Sequence, residues 1–97
     1  MKAVLSSAAE RDVKRALDYY IREAGADVAD DFIDRLEAKL DQVKKNPEWY
    51  RIVAKGLRSV ELDRFPYSIV YRIVNRALIR VTTVRHHKQR PDFGLNR

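Results

Sequence analysis

The 97-residue sequence contains no cysteine, so it can build neither a disulfide framework nor a thiolate metal site, and it has no thiol nucleophile. Only three glycines and three prolines punctuate it. No flexible linker, proline-rich tract or internal repeat divides the chain, and residues 1–97 read as one domain with a single core. No apolar run approaches the roughly 20 residues that cross a bilayer. The opening Met1-Lys2-Ala3-Val4-Leu5 is too short for a secretory signal before a polar helix begins. These absences point to a cytoplasmic protein without a membrane partner. Histidine is also scarce, with His86 and His87 the only two. Adjacent imidazoles point in different directions and have no third ligand, so neither a metal nor a cofactor is expected.

Charge, by contrast, is plentiful and unevenly placed. Residues 1–56 hold eleven basic and eleven acidic side chains, whereas residues 57–97 hold nine basic and three acidic ones. The whole net charge of +6 therefore sits in the C-terminal part. Such a field concentrates polyanions or acidic protein partners near one region of the surface; read blandly, it only aids solubility.

Hydrophobic periodicity sets the expected elements. Ala3-Val4-Leu5 is a candidate short strand. Ser7 and Glu10 have the spacing of a capping box, and Val13, Ala16, Leu17, Tyr20, Ile21 and Ala24 then recur at helical intervals. Gly25 stops this helix, since glycine takes positive φ without steric cost. Asp27 is the expected N-cap of a second helix with the stripe Val28, Phe32, Leu36, Leu40 and Val43, which Asn46-Pro47 ends. The period then changes. Leu57–Leu62 alternates, and Tyr67–Val74 and Leu78–Val84 are rich in β-branched and aromatic residues around the short turn Asn75-Arg76-Ala77. The expected class is α+β: a short N-terminal strand, an antiparallel helix hairpin, then a three-stranded antiparallel sheet with the helices on one face. Trp49 and Tyr50, between helix and sheet, read either as a stacking surface or as the closure of the core.

Alternation puts Tyr67, Ile69, Tyr71 and Ile73 on the core face and Arg72 on the opposite, open face. Arg58 and Arg80 are candidates to share that open face, although parity does not carry between strands without the register. Guanidinium groups in a shallow cleft suit phosphate or carboxylate; the other reading of Arg72 is a solvated side chain or an ion pair with Glu61 or Asp63. His86, expected just beyond the last strand, reads as a general acid or base, a partner contact or a structural hydrogen-bonding group. Cleavage of RNA through its own 2′-hydroxyl needs a base, an acid and cations around a phosphorane. Glu48 and Glu61 are the carboxylates nearest to serve as base, with nothing to separate them.

The segment Phe65-Pro66-Tyr67-Ser68-Ile69-Val70-Tyr71-Arg72-Ile73, the preceding Gly56-Leu57-Arg58, and the tail Arg85-His86-His87-Lys88-Gln89-Arg90-Pro91 resemble the RelE/ParE superfamily of toxins from bacterial type II toxin–antitoxin modules. The resemblance spans nearly the whole chain and implies a β-α-α-β-β-β fold. It implies a toxin that inhibits growth and is neutralised by a cognate antitoxin, with operator DNA met only through that antitoxin. The antitoxin segment would suit the basic sheet and the exposed parts of the helix hairpin. Members of the superfamily divide between ParE-like poisons of DNA gyrase and RelE-like endoribonucleases that cut mRNA on the ribosome. Some ribonuclease members carry arginine where this chain has Ser68 and tyrosine where it has His87, so the resemblance leans to the ParE side. On that side the expected target-binding residues are Arg85, His87, Lys88, Arg90, Phe93 and Arg97. On the ribonuclease side, Arg58 and Arg72 would bind phosphate and His86 would act as acid or base. A family member that has lost toxicity and only binds antitoxin or operator is a third reading.

Overall fold

Ser6, rather than Ser7, begins the first helix in the computed structural model, which describes residues 1–97. Its hydroxyl accepts the Ala9 amide at 3.1 Å, so the serine one place earlier satisfies the free N–H and no capping box with Glu10 forms. Helix α1 spans Ser7–Ala24 and α2 spans Ala26–Lys45. Gly25 alone connects them. Its φ of 93° lets its N–H close back on the Tyr20 carbonyl while it starts α2 without a side-chain cap. Asp27 therefore lies inside the first turn of α2, where its charge meets the helix dipole.

The strands are β1 (Lys2–Leu5), β2 (Arg51–Ala54), β3 (Leu57–Glu61), β4 (Tyr67–Asn75) and β5 (Leu78–His86). The expected three antiparallel strands are β3, β4 and β5. They form the centre of a five-stranded sheet of order β1-β5-β4-β3-β2. β1 joins in parallel beside β5, and β2, unforeseen from the sequence, adds a short antiparallel edge beside β3. β5 also runs two residues beyond the expected end, so Arg85 and His86 belong to the strand.

Both helices cover one face of this sheet. Ala9, Ala16, Phe32, Leu36 and Val43 meet Val60, Leu62, Tyr67, Ile69, Tyr71, Ile79, Val81 and Val84 in one core. Phe32 stands edge-on to Phe65 and Tyr67, with ring centroids 5.4 and 5.1 Å away, a favourable aromatic geometry. Ile21 and Ala24, expected in the apolar stripe of α1, are exposed at its end. Trp49 is 76% exposed and closes nothing, whereas Tyr50 packs against the core.

A bulge at Thr82 sets the faces of β5. Val70 pairs with Thr83 and Tyr71 with Val81, leaving Thr82 as the extra residue. The insertion reverses parity: Ile79 and Val81 before it and Val84 after it all reach the core. The opposite face is not open throughout. Ser68, Val70 and Thr83 on it are buried, because the C-terminal segment lies across that part of the sheet.

Candidate functional site

The C-terminal segment has no strand or helix of its own, yet it is fastened at both ends. Three backbone bonds of the i to i+3 kind curl it: Phe93 N–H to the Arg90 carbonyl, Leu95 to Asp92, and Arg97 to Gly94. At its beginning, Gln89 accepts the His86 N–H through Oε1 at 2.9 Å, and its own carbonyl accepts from Arg85 at 2.9 Å. The His87 ring nitrogen Nε2 lies 3.0 Å from the Ser68 hydroxyl. Further on, the Thr83 hydroxyl donates to the Gly94 carbonyl at 3.3 Å. At the far end the Arg97 guanidinium grips Asp12 of α1 with both nitrogens, at 2.6 and 3.2 Å, and donates to the Thr82 carbonyl at 3.2 Å. The ring of Phe93 lies 4.9 Å beneath that guanidinium.

These contacts also finish an edge. β1 ends at Leu5, opposite Val81, so β5 beyond that point lacks a strand neighbour on the side away from β4. There the Thr82 carbonyl accepts from Ser6 and Arg97, the Val84 N–H goes to Asp12 at 3.0 Å, and the His86 N–H goes to Gln89. Side chains thus replace the missing ladder, which protects an edge that would otherwise template pairing with another chain. Asp12, which anchors both this edge and Arg97, is the residue that the sequence reading missed. Its signal was an acidic side chain in a buried stripe, three residues after Ala9 and four before Ala16.

Six residues expected to bind a target therefore have different standings. Lys88 and Arg90 project into solvent, Arg90 facing only Asp92 at 3.4 Å in a fully hydrated pair. His87 is exposed but anchored on Ser68. Arg85 is half-buried and turned back onto the chain, Phe93 is half-buried under Arg97, and Arg97 is engaged with Asp12. Between β2 and this segment runs a groove of about 350 Å³ lined by Arg51, Ser59, Val70, Arg85, Asp92 and Leu95.

The three residues considered for ribonuclease chemistry are not brought together. Arg72 is on the face opposite the helices, exposed, and its guanidinium lies where a Cβ on Gly56 would be. Neither Glu61 nor Asp63 pairs with it; Asp63 instead meets Lys39 at 3.5 Å. Arg80 stands directly opposite Arg72 on the neighbouring strand. Arg58 does not share that face. It is in register with Tyr71, on the helix side, and donates to the Glu48 and Tyr50 carbonyls at 3.0 and 2.8 Å. Tyr71 donates to the Pro47 carbonyl beside them, so the pair pins the 47–50 loop. Burial raises the Tyr71 phenol to about 12, against the lowering effect of Arg58.

His86 also faces the helix side, far along the sheet from Arg58. It pairs with Tyr67 and sits edge-on to its ring at 4.9 Å, in a pocket shared with Arg15, Tyr19 and Lys88. Burial lowers its pKa, and Lys88, His87 and Arg85 lower it further. The Lys88 amide donates to Nδ1 at 2.9 Å. An amide can only donate, so the neutral ring carries its proton on Nε2. Glu48 and Glu61 are both exposed, and Glu61, opposite Ser68, lies on the face of Arg72 and away from His86.

Comparison with known proteins agrees with this architecture. Residues 3–91 match the family described as the ParE toxin of type II toxin–antitoxin system, parDE. A chain from the structure of the chromosomal ParDE TA system from P. aeruginosa superimposes with a TM-score of 0.77 at 17% identity, over 89% of this chain and 95% of that one. At that identity the likeness speaks for the shared fold. No curated protein matches the sequence. No helix is long and apolar enough to cross a membrane. With nearly all of its length matched, the chain belongs to the ParE toxin family and is the toxin of a type II toxin–antitoxin module.

Proposed function

We propose that this toxin stops growth by binding DNA gyrase without covalent chemistry, using the C-terminal segment around Lys88 and Arg90 as part of the contact. The observation that carries this reading is the separation of the three candidate catalytic side chains. Arg58 is turned through Nη1 into the 47–50 loop, Arg72 lies on the far face, and His86 accepts the Lys88 amide at Nδ1. Phosphoryl chemistry needs base, acid and cations around one phosphate. A surface with the solvated cations Lys88 and Arg90 at its crest suits an acidic protein partner instead. A cognate antitoxin would neutralise the toxin by covering the basic sheet and exposed helix hairpin, and would provide any contact with operator DNA.

Pulse-labelling of DNA and protein synthesis in the minutes after induction of this chain tests the reading. DNA synthesis should stop first, and purified gyrase should lose supercoiling activity in the presence of excess toxin. Early collapse of translation with cleaved mRNA would favour the ribonuclease instead, and unimpaired gyrase at excess toxin would count against the proposal.

A further inference from the structure

Asp12 is a carboxylate whose side chain is 1% exposed, set in the middle of a helix face that otherwise buries alanine. A buried charge is costly unless its lone pairs are taken by donors and its charge is countered. Here the Val84 amide takes one position, and Arg15, 64% exposed, approaches loosely at 3.4 Å. The close counter-charge is Arg97, 26% exposed, which comes from 85 residues away with both forks of its guanidinium. An apolar residue at position 12 would fill the space but leave the buried Val84 amide unpaired. Besides accepting the Val84 amide, the carboxylate at that position holds the far end of the C-terminal segment through Arg97.

That segment forms an arch. Gln89 and His87 fasten its beginning to β4 and β5, Gly94 and Arg97 fasten its end, and Lys88 and Arg90 project from the crest. We infer that Asp12 is a positioning residue for target binding: through Arg97 it locks the arch so that Lys88 and Arg90 are pre-arranged for an acidic partner surface. The inference rests on the reading that this segment touches the target. With the clasp open, the domain still folds, but the arch must be ordered at the moment of binding, and that ordering subtracts from affinity.

Hydrogen exchange and growth arrest, measured on the same full-length variants, test the inference. Arg97→Gln removes the counter-charge without touching the core. Asp12→Asn keeps an oxygen for the Val84 amide and removes the charge. Both should speed exchange at the amides of Phe93, Leu95 and Arg97 while those of β4 stay protected. Both should also need roughly tenfold more toxin for the same growth arrest, the effect of losing about 1.4 kcal/mol of binding. Arg97→Lys, which keeps the charge but not the fork, should restore part of the potency. Unchanged exchange at these amides would refute the clasp. Loosened amides with full potency would refute the positioning role. Lys88→Ala with Arg90→Ala separates the two layers. If that pair arrests growth as well as the wild type, the target-contact reading falls and takes this inference with it. If the pair loses potency while Arg97→Gln keeps it, the inference alone falls.

Discussion

Gly94→Ala should lift the C-terminal segment off the sheet. Gly94 has a φ of 77°, and a Cβ there would lie 2.4 Å from Thr83 Oγ1 and 2.8 Å from its Cγ2. Thr83 cannot yield: it is fully buried, β-branched at a stiff χ1, and held by its pairing with Val70. An alanine at positive φ costs about 1 kcal/mol before any clash. Separation also forfeits the Thr83–Gly94 hydrogen bond, about 1 kcal/mol, and weakens the clasp on Asp12. The sum is about 3 kcal/mol, taking only a fraction of the roughly 3–5 kcal/mol expected for breaking a buried ion pair. A domain of this size loses about 4–8 °C in Tm per kcal/mol, so the fall should be about 12–24 °C. Thr83→Ala alone removes one hydrogen bond and a methyl group, for about 1–2 kcal/mol. The double variant relieves the two closest contacts, leaving the Thr83 Cβ at 3.2 Å, and should be more stable than the sum of the single losses by about 1–2 kcal/mol. Denaturant unfolding of the four proteins measures this coupling. Additive losses, or a Gly94→Ala protein within about 0.5 kcal/mol of wild type, a typical surface effect, would refute the placement of the segment on β5.

Ser6→Ala should cost about 1 kcal/mol of stability, while Ser7→Ala should stay within about 0.5 kcal/mol; equal effects would contradict the cap at Ser6. Arg80→Glu replaces a like-charge cross-strand neighbour of Arg72 with an opposite one and should stabilise by up to about 1 kcal/mol. That gain should shrink at 1 M salt, where screening acts over about 3 Å, and a loss of stability would contradict the register. His86 should make folding sensitive to acid. The unfolded ring takes its proton near 6.5, the folded ring at a lower value, so stability is whole above about 6.5 and falls as pH drops from there, levelling once pH is below the folded value. His86→Gln should flatten the pH dependence of the urea midpoint between pH 7 and 5; an unchanged slope would refute the depressed value.

The sequence carried the helices because Phe32, Leu36 and Val43 repeat at the helical interval and Gly25 marks the turn between them. It carried β3, β4 and β5 through their alternation and β-branched content. It did not separate Ser6 from Ser7, since two adjacent serines compete for one cap and Glu10 favoured the wrong one. Nor did it reveal β2, whose four residues (Arg51–Ala54) are too few for a periodic signal. The site was less legible than the fold. Lys88 and Arg90 were readable as exposed basic residues beyond a strand, but the fastening of Arg97 depends on a contact with Asp12 across 85 residues. Arg58 looked like a free cation because nothing in its neighbourhood of sequence shows that two carbonyls of the 47–50 loop would point at it.

One inserted residue decides much of the functional geometry. Without the bulge at Thr82, strict alternation from Ile79 and Val81 would carry Val84 to the far face and turn His86 to the side where Arg72 and Arg80 stand. The bulge turns His86 under α1 instead, against Tyr67 and beside Arg15. It also turns Thr83 outward, where its hydroxyl receives Gly94, and places the Thr82 carbonyl at the edge, where Arg97 reaches it. The same local irregularity therefore withdraws the histidine from the arginine face and supplies the dock for the C-terminal segment. Separating His86 from the cations of the far face and docking the basic C-terminal segment are thus two effects of one change in strand parity, and both support the binding mode proposed above.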